Sequence, residues 1–283
     1  MGLLARGGFL PVATPALMGI SLILISTFVS PAAGIVPAAG ILCLLISAFF
    51  ANFWRDPDRK IPRDEGVIVS PADGHVMFAK RERATGRRPN KDEKEASEND
   101  PLTGDWFPEP LDNPISFSTE QRWEAVPKGE ESDSDVYRIA VFMSPLDVHV
   151  NRAPLASTLS KMEHRTGKGK RRGPFLPAFK KESEFNERVR SLFTAEDDLV
   201  IECTQISGAL ARTIIPWVHE GVSLRRGQRF GMIRLGSRVD VRVPANRFNP
   251  VVISAEDDNP DYPKGQFVQA GSTILFRPLN EEE

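Results

Sequence analysis

The chain has 283 residues, enough for one large domain or two small ones. Apolar residues make up 41% of it, which excludes global disorder. With 36 basic and 38 acidic side chains the net charge is −2, which gives no electrostatic basis for nucleic-acid binding, and two cysteines are too few for a disulfide scaffold or a four-cysteine zinc site.

No charged residue occurs between Arg6 and Arg55. This window holds two apolar runs, 9–29 and 32–54, separated by Ser30 and Pro31. Each is long enough to cross a bilayer as a helix. A cleaved signal peptide would have a shorter apolar core followed by polar sequence. Residues 1–60 therefore read as a membrane anchor of two helices; the alternative is one spanning helix with an interfacial one. Arg6 precedes the runs, and Arg55, Arg59 and Lys60 follow them. The positive-inside rule then puts both ends, and the rest of the chain, on the cytoplasmic face of the cell membrane.

Residues 66–70 and 75–79 read as two strands around the turn Pro71-Ala72-Asp73-Gly74. Residues 81–135 read as an irregular, flexible insertion; from 91 to 135 there are 14 acidic and 4 basic residues. Residues 136–143 alternate and are β-branched, and 239–243 alternate apolar with charged, so both predict strands. Between them, 161–181 carries eight basic residues against Glu163, a loop suited to anionic lipid. A Gly-punctuated hairpin is expected over 265–275. Cys43 lies in an apolar run and Cys203 in a mixed segment, so no disulfide joins them in this reading. Residues 61–283 thus predict a mainly β (α+β) domain.

Four histidines, at 75, 149, 164 and 219, form no His-x-x-x-His pair, so a zinc hydrolase and a metal site are not expected. There is no Gly-x-Ser-x-Gly elbow and no phosphate-binding loop. Three strings stand out instead: Pro71–Gly74, 144–154 with Asp147, His149 and Arg152, and 230–240 with Gly236-Ser237 leading into a strand. Each alone is weak, since a lone buried histidine or a single Gly-Ser is more often structural.

Together the strings resemble the phosphatidylserine decarboxylase family in its short bacterial form. The matching pieces are Phe53-Trp54-Arg55-Asp56-Pro57, Ser70-Pro71-Ala72-Asp73-Gly74, Met143 to His149, Asn151-Arg152-Ala153-Pro154, Phe175-Leu176-Pro177-Ala178-Phe179, Asn186 to Val189, Gly231 to Arg238 and the 265–275 segment. They keep the family's order and cover nearly all the chain except the acidic insertion. The resemblance implies a self-cleaving proenzyme that breaks between Gly236 and Ser237 into a β chain, 1–236, and an α chain, 237–283, which stay associated. It implies that Ser237 becomes a covalent pyruvoyl group, with no metal or diffusible cofactor. That group forms a Schiff base with phosphatidylserine and releases CO2, giving phosphatidylethanolamine. It also implies lipoyl-like β elements and is compatible with a homodimer.

The resemblance assigns acid–base work to His149 and Asp73, an imidazole oriented by a carboxylate, with Asp147 as a lesser candidate; the alternative for Asp73 is that it only stabilises its turn. The family pattern often has a second histidine where this chain has Arg152, which leaves His75 as another candidate base. Where many members have Thr, this chain has Arg238, a candidate contact for lipid phosphate or a residue that only tunes processing. Phe175, Lys168 and Arg171 are expected to dock on the bilayer and guide the headgroup. Two other readings remain open here: a pyruvoyl decarboxylase of a related aminophospholipid, and a non-catalytic membrane-anchored lipoyl-like binding module.

Overall fold

Alternating side chains in the longest strands sort this chain into a face that packs inward and a face that carries charge. The computed structural model describes residues 4–28, 34–87, 109–115, 120–165, 186–208, 213–234, 237–257, 259, 261 and 264–279. It begins with helices α1 (Phe9–Ser26) and α2 (Ile35–Phe53), close to the expected apolar runs. Both are long and apolar enough to span a membrane, and large apolar side chains such as Phe9, Leu24, Ile35 and Leu45 point outward. The helices pack antiparallel. A Cβ on Gly19 would lie 2.8 Å from the Gly40 carbonyl oxygen, and Ser47 Oγ donates to the Val12 carbonyl over 2.7 Å. Small residues at such a crossing let two helix backbones approach closely.

The remaining described elements are almost all strands: β1 (Ile68–Val69), β2 (Gly74–Arg87), β3 (Gln121–Ala125), β4 (Val136–Met143), β5 (Val150–Arg152), β6 (Ser157–Arg165), β7 (Arg188–Thr194), β8 (Val200–Ile206), β9 (Ile214–Pro216), β10 (Ser223–Leu224), β11 (Arg229–Ile233), β12 (Ser237–Pro244), β13 (Phe248–Pro250), β14 (Phe267–Val268) and β15 (Ile274–Pro278). A nine-stranded antiparallel sheet has the order β10-β6-β7-β8-β12-β4-β2-β14, with β3 added on β2. Two three-stranded sheets, β1-β15-β13 and β5-β11-β9, flank it. The expected mainly β body is what the structure contains.

Period-two alternation explains the core. On β12, Val239, Val241 and Val243 face inward beside Ile139, Val141 and Met143 of β4 and Ile201 and Cys203 of β8. Arg238, Asp240 and Arg242 leave the opposite face. Cys43 and Cys203 are both free, as expected.

Three local expectations are corrected. The strand expected over 75–79 runs to Arg87, and its far half pairs with β3, so the irregular insertion does not begin at 81. The charges that read as loop are strand side chains held from a distance: Arg81 and Arg83 each meet the Asp135 carboxylate at 2.7 Å. Residues 88–108 and 116–119 lie outside the described set. Second, 265–275 is not a hairpin. β14 pairs with β2, while β15 pairs with β1 and β13, so this segment crosses between sheets. Gly265 permits that crossing: its φ is +78° and a Cβ there would sit 1.9 Å from the Val76 carbonyl oxygen. Third, residues 161–165 of the basic segment belong to β6; residues 166–185 lie outside the described set.

The helices are fastened to the β body at their foot. Ala5 N–H donates to the Trp54 carbonyl over 2.7 Å, and Leu4 bridges to Arg55. Ala5, Phe53 and Trp54 then bury against Val148, Val150 and Met232.

Candidate active site

Strands β2, β4 and β12 are neighbours, and antiparallel pairing brings the start of β2 and of β12 to the end of β4. Ser237 opens β12 opposite Met143, the last residue of β4. It is fully buried, and its Oγ contacts the Met143 sulfur at 3.3 Å. A thioether is a weak acceptor, so the hydroxyl is not committed to a strong partner. Asn151 Nδ2 approaches the same sulfur at 3.9 Å and takes its own carbonyl bond from Gln205 Nε2 at 2.8 Å. Gly236 lies outside the described residues, as do Phe175, Lys168 and Arg171.

His149 sits on the loop that leaves Met143. Its Nδ1 is 2.9 Å from the Asp147 carbonyl oxygen, which can only accept, so Nδ1 carries the proton. That leaves Nε2 with a lone pair, buried and without a partner among the described residues. Burial pushes the imidazole down to about 4; the Asp147 carbonyl and charge oppose this, and the nearby positive charge of Arg55 reinforces it. At neutral pH the ring is therefore an uncharged base. Phe53, the last residue of α2, covers it with ring centroids 4.4 Å apart.

Asp73 stands in the turn before β2. The turn is tight because Gly74 has φ +147°, and a Cβ there would lie 2.0 Å from the Phe142 carbonyl oxygen. Both Asp73 oxygens are occupied: Oδ2 meets Arg59 at 2.6 Å and Oδ1 accepts the Ala270 N–H at 2.8 Å. Burial raises its pKa most; the Ala270 N–H and Arg59 pull it down, and the Asp147 charge adds to the rise. Asp73 therefore does not orient His149, contrary to expectation. The Asp147 backbone does that, while the Asp147 carboxylate caps the loop through the Ser144 N–H at 2.7 Å.

Arg238 is not a lipid contact. Ser237 and Arg238 are successive strand residues, so their side chains leave opposite faces. Arg238 is fully buried and paired with Asp240 through two 2.6 Å bonds. Arg152 is likewise committed, to Asp56 at 3.0 Å and to the Pro57 and Gly227 carbonyls. His75 bonds the Gly265 carbonyl at 3.0 Å and lines a cavity of about 500 Å³ with Phe78, Phe142, Asp147 and Lys264. It pairs with Phe142, on the Arg238 side of the sheet and away from the Ser237 hydroxyl. Sequence reasoning missed Phe53, Arg59, Asn151 and Gln205 as parts of the site. The first three lie in or beside the strings already singled out, but their partners are distant in sequence.

The family described as phosphatidylserine decarboxylase matches residues 46–276. The chain is 38% identical over 226 residues to a phosphatidylserine decarboxylase proenzyme of Erythrobacter litoralis, covering 80% of this chain and 71% of that one. It is 35% identical over 237 residues to a putative archaetidylserine decarboxylase proenzyme of Methanopyrus kandleri, covering 83% and 85%. A proenzyme of Streptomyces griseus is 54% identical over 108 residues, covering 38% and 46%.

Proposed function

The chain belongs to the phosphatidylserine decarboxylase family, and from that premise we propose that it is a self-cleaving proenzyme that decarboxylates phosphatidylserine at a membrane. The observation that carries this reading is His149: a buried, neutral imidazole with an unpartnered Nε2, on the loop that leaves the partner of Ser237.

Self-cleavage uses this chain's own groups. Nε2 of His149 takes the Ser237 hydroxyl proton as Oγ attacks the Gly236 carbonyl carbon. The bond from that carbon to the Ser237 nitrogen breaks, the nitrogen receives the proton, and an ester replaces the amide. Removal of the residue-237 Cα proton expels the Gly236 carboxylate. Water then releases ammonia and leaves a pyruvoyl group at the head of the downstream chain. Ser237 fits this origin: its Oγ meets only a thioether among its described partners. Once in place, the pyruvoyl carbonyl supplies an electron sink for the bond that loses CO2. After cleavage β12 still lies between β4 and β8, so hydrogen bonds on both sides hold the two fragments together.

In the decarboxylation, Nε2 of His149 would take the proton that the substrate ammonium gives up and deliver it to the substrate α-carbon. An imidazole whose charged form is disfavoured gives that proton up readily. Phe53 keeps water off the ring. We place α1 and α2 across the membrane with both ends on the cytoplasmic side, because Arg6 and Arg55 flank them.

Intact-mass analysis of the protein and its Ser237→Ala variant tests the reading. Two fragments are expected from the native chain, the smaller with a pyruvoyl end, together with CO2 release from phosphatidylserine. One uncut chain in native-like membranes would refute it.

A further inference from the structure

Three guanidinium groups at the foot of the helices lack what others near them have. Arg138, Arg190 and Arg242 in the β body, and Arg59, Arg152 and Arg229 beside the foot, each end on a carboxylate. At the foot, Arg234 lies over the Trp54 ring at 5.1 Å and Arg6 over the Trp217 ring at 5.6 Å. Arg55 donates to the Asn52 and Leu146 carbonyls, each at 2.8 Å. None of these three meets a carboxylate among the described residues, and among them the Arg234 guanidinium has only the aromatic face as a partner. An aromatic face attracts a cation but does not neutralise it.

The location says which anion is available. The 19 residues of α2 span about 30 Å, the thickness of a bilayer's hydrocarbon core, so Trp54 falls at headgroup level. The anion most abundant there is a lipid phosphodiester. Arg234 also sits beside the chemistry. It is three residues ahead of Ser237, and the Ile233 N–H next to it bonds the His149 carbonyl at 3.2 Å. In phosphatidylserine the phosphorus is three bonds from the carbon that loses CO2, so a cation near Ser237 is where that phosphate must be met.

We propose that Arg234, supported by Arg55, binds the phosphodiester of the substrate headgroup and fixes the reacting carbon beside residue 237. This rests on the decarboxylase reading above. The full chain in detergent is first checked for cleavage by mass. It is then assayed with dihexanoyl phosphatidylserine below its micelle concentration, where bulk lipid plays no part. Arg234→Gln should raise KM about tenfold or more, the size expected for loss of a charge-assisted hydrogen bond, with kcat within about threefold. Arg234→Lys keeps the charge without the planar fork and should fall between. If Arg234→Gln does not self-cleave, the Arg234→Lys KM decides. An unchanged KM overturns the proposal. So does a rise seen only in phosphatidylglycerol vesicles, which would assign Arg234 to bulk lipid. Failure of both variants to self-cleave overturns it too, by assigning Arg234 to processing. An inactive native chain would refute the decarboxylase reading instead, so the two failures are distinguishable.

Discussion

On the outer face of the central sheet, Glu202 takes Arg190 at 2.7 Å and also Arg242, while Asp240 takes Arg238. At the foot of the helices, His149 keeps a bare Nε2, and Arg234 rests on the Trp54 ring with no carboxylate partner among the described residues. Both regions are buried and polar, and they resolve the cost of burial in opposite ways. On the outer face every carboxylate named has found its cation, so nothing needs to be supplied from outside. At the foot, neutral acceptors and aromatic rings stand where carboxylates would be expected. Charge matched within the fold is architecture. On the function proposed above, the groups left unmatched are those that a lipid or a reacting bond completes.

The largest effect should come from the unmatched side. His149→Gln keeps a polar side chain of similar size but removes the base. It should slow self-cleavage by about 10²–10⁴-fold, followed as the disappearance of full-length chain by mass. A variant that cleaves at the native rate would move the base elsewhere and erase the contrast. On the matched side the effect should be on stability. Burial alone would raise the Glu202 pKa, yet Arg190 and Arg242, with hydrogen bonds from Arg190 and Thr204, push it down to about 2. Glu202→Ala removes the carboxylate that Arg190 and Arg242 share, although Arg242 keeps Glu82 at 3.7 Å. It should cost about 3–5 kcal/mol in urea unfolding of the detergent-solubilised chain, with the cleavage rate of the folded fraction nearly unchanged.

The same contrast explains what the sequence made legible. The two apolar runs and strands 136–143 and 239–243 could be read because their signals are local: length, absence of charge, period two; the second strand extends to 237–244. Ser237 and His149 emerged from short strings for the same reason. Arg238 misled because a departure from the family pattern says nothing of which face a strand residue takes, and Arg238 leaves the face opposite Ser237 and is buried. Residues 81–87 misled because the partner of Arg81 and Arg83 is Asp135, about fifty positions away. Asp73 was matched to His149 by motif, but its oxygens belong to Arg59 and Ala270, one contributed by the segment after α2 and the other by the crossing between sheets.

A smaller effect belongs to the contact joining the membrane helix to the base. Phe53 desolvates the His149 ring from one side. Phe53→Ala should admit water, raise the imidazole pKa from about 4 toward its ordinary 6.5, and move the acid limb of the cleavage pH profile upward. A profile that does not move would leave Phe53 with a packing role only.

The mildest test is acid stability, and its sign separates the two regions. The folded-state pKa of His149, about 4, is below its ordinary 6.5, so between these values the unfolded chain binds the proton better. Stability from keeping the ring neutral is complete above pH 6.5 and drains away toward pH 4, by at most about 3 kcal/mol. Glu202 titrates the other way in origin but lower in range: its contribution is complete above 4.5 and is lost only as the pH falls toward 2. Asp73, with its raised pKa, works against both, losing stability as it ionises. Comparing Ser237→Ala with Ser237→Ala/His149→Gln, both uncut, subtracts Asp73 and Glu202, which both proteins share. The difference in urea midpoint between them should therefore change between pH 6.5 and 4 and be flat above that window. A flat difference throughout would mean that the foot of the helices admits enough water to solvate the imidazole, and that its polar groups are no more exposed to the cost of burial than those of an ordinary surface.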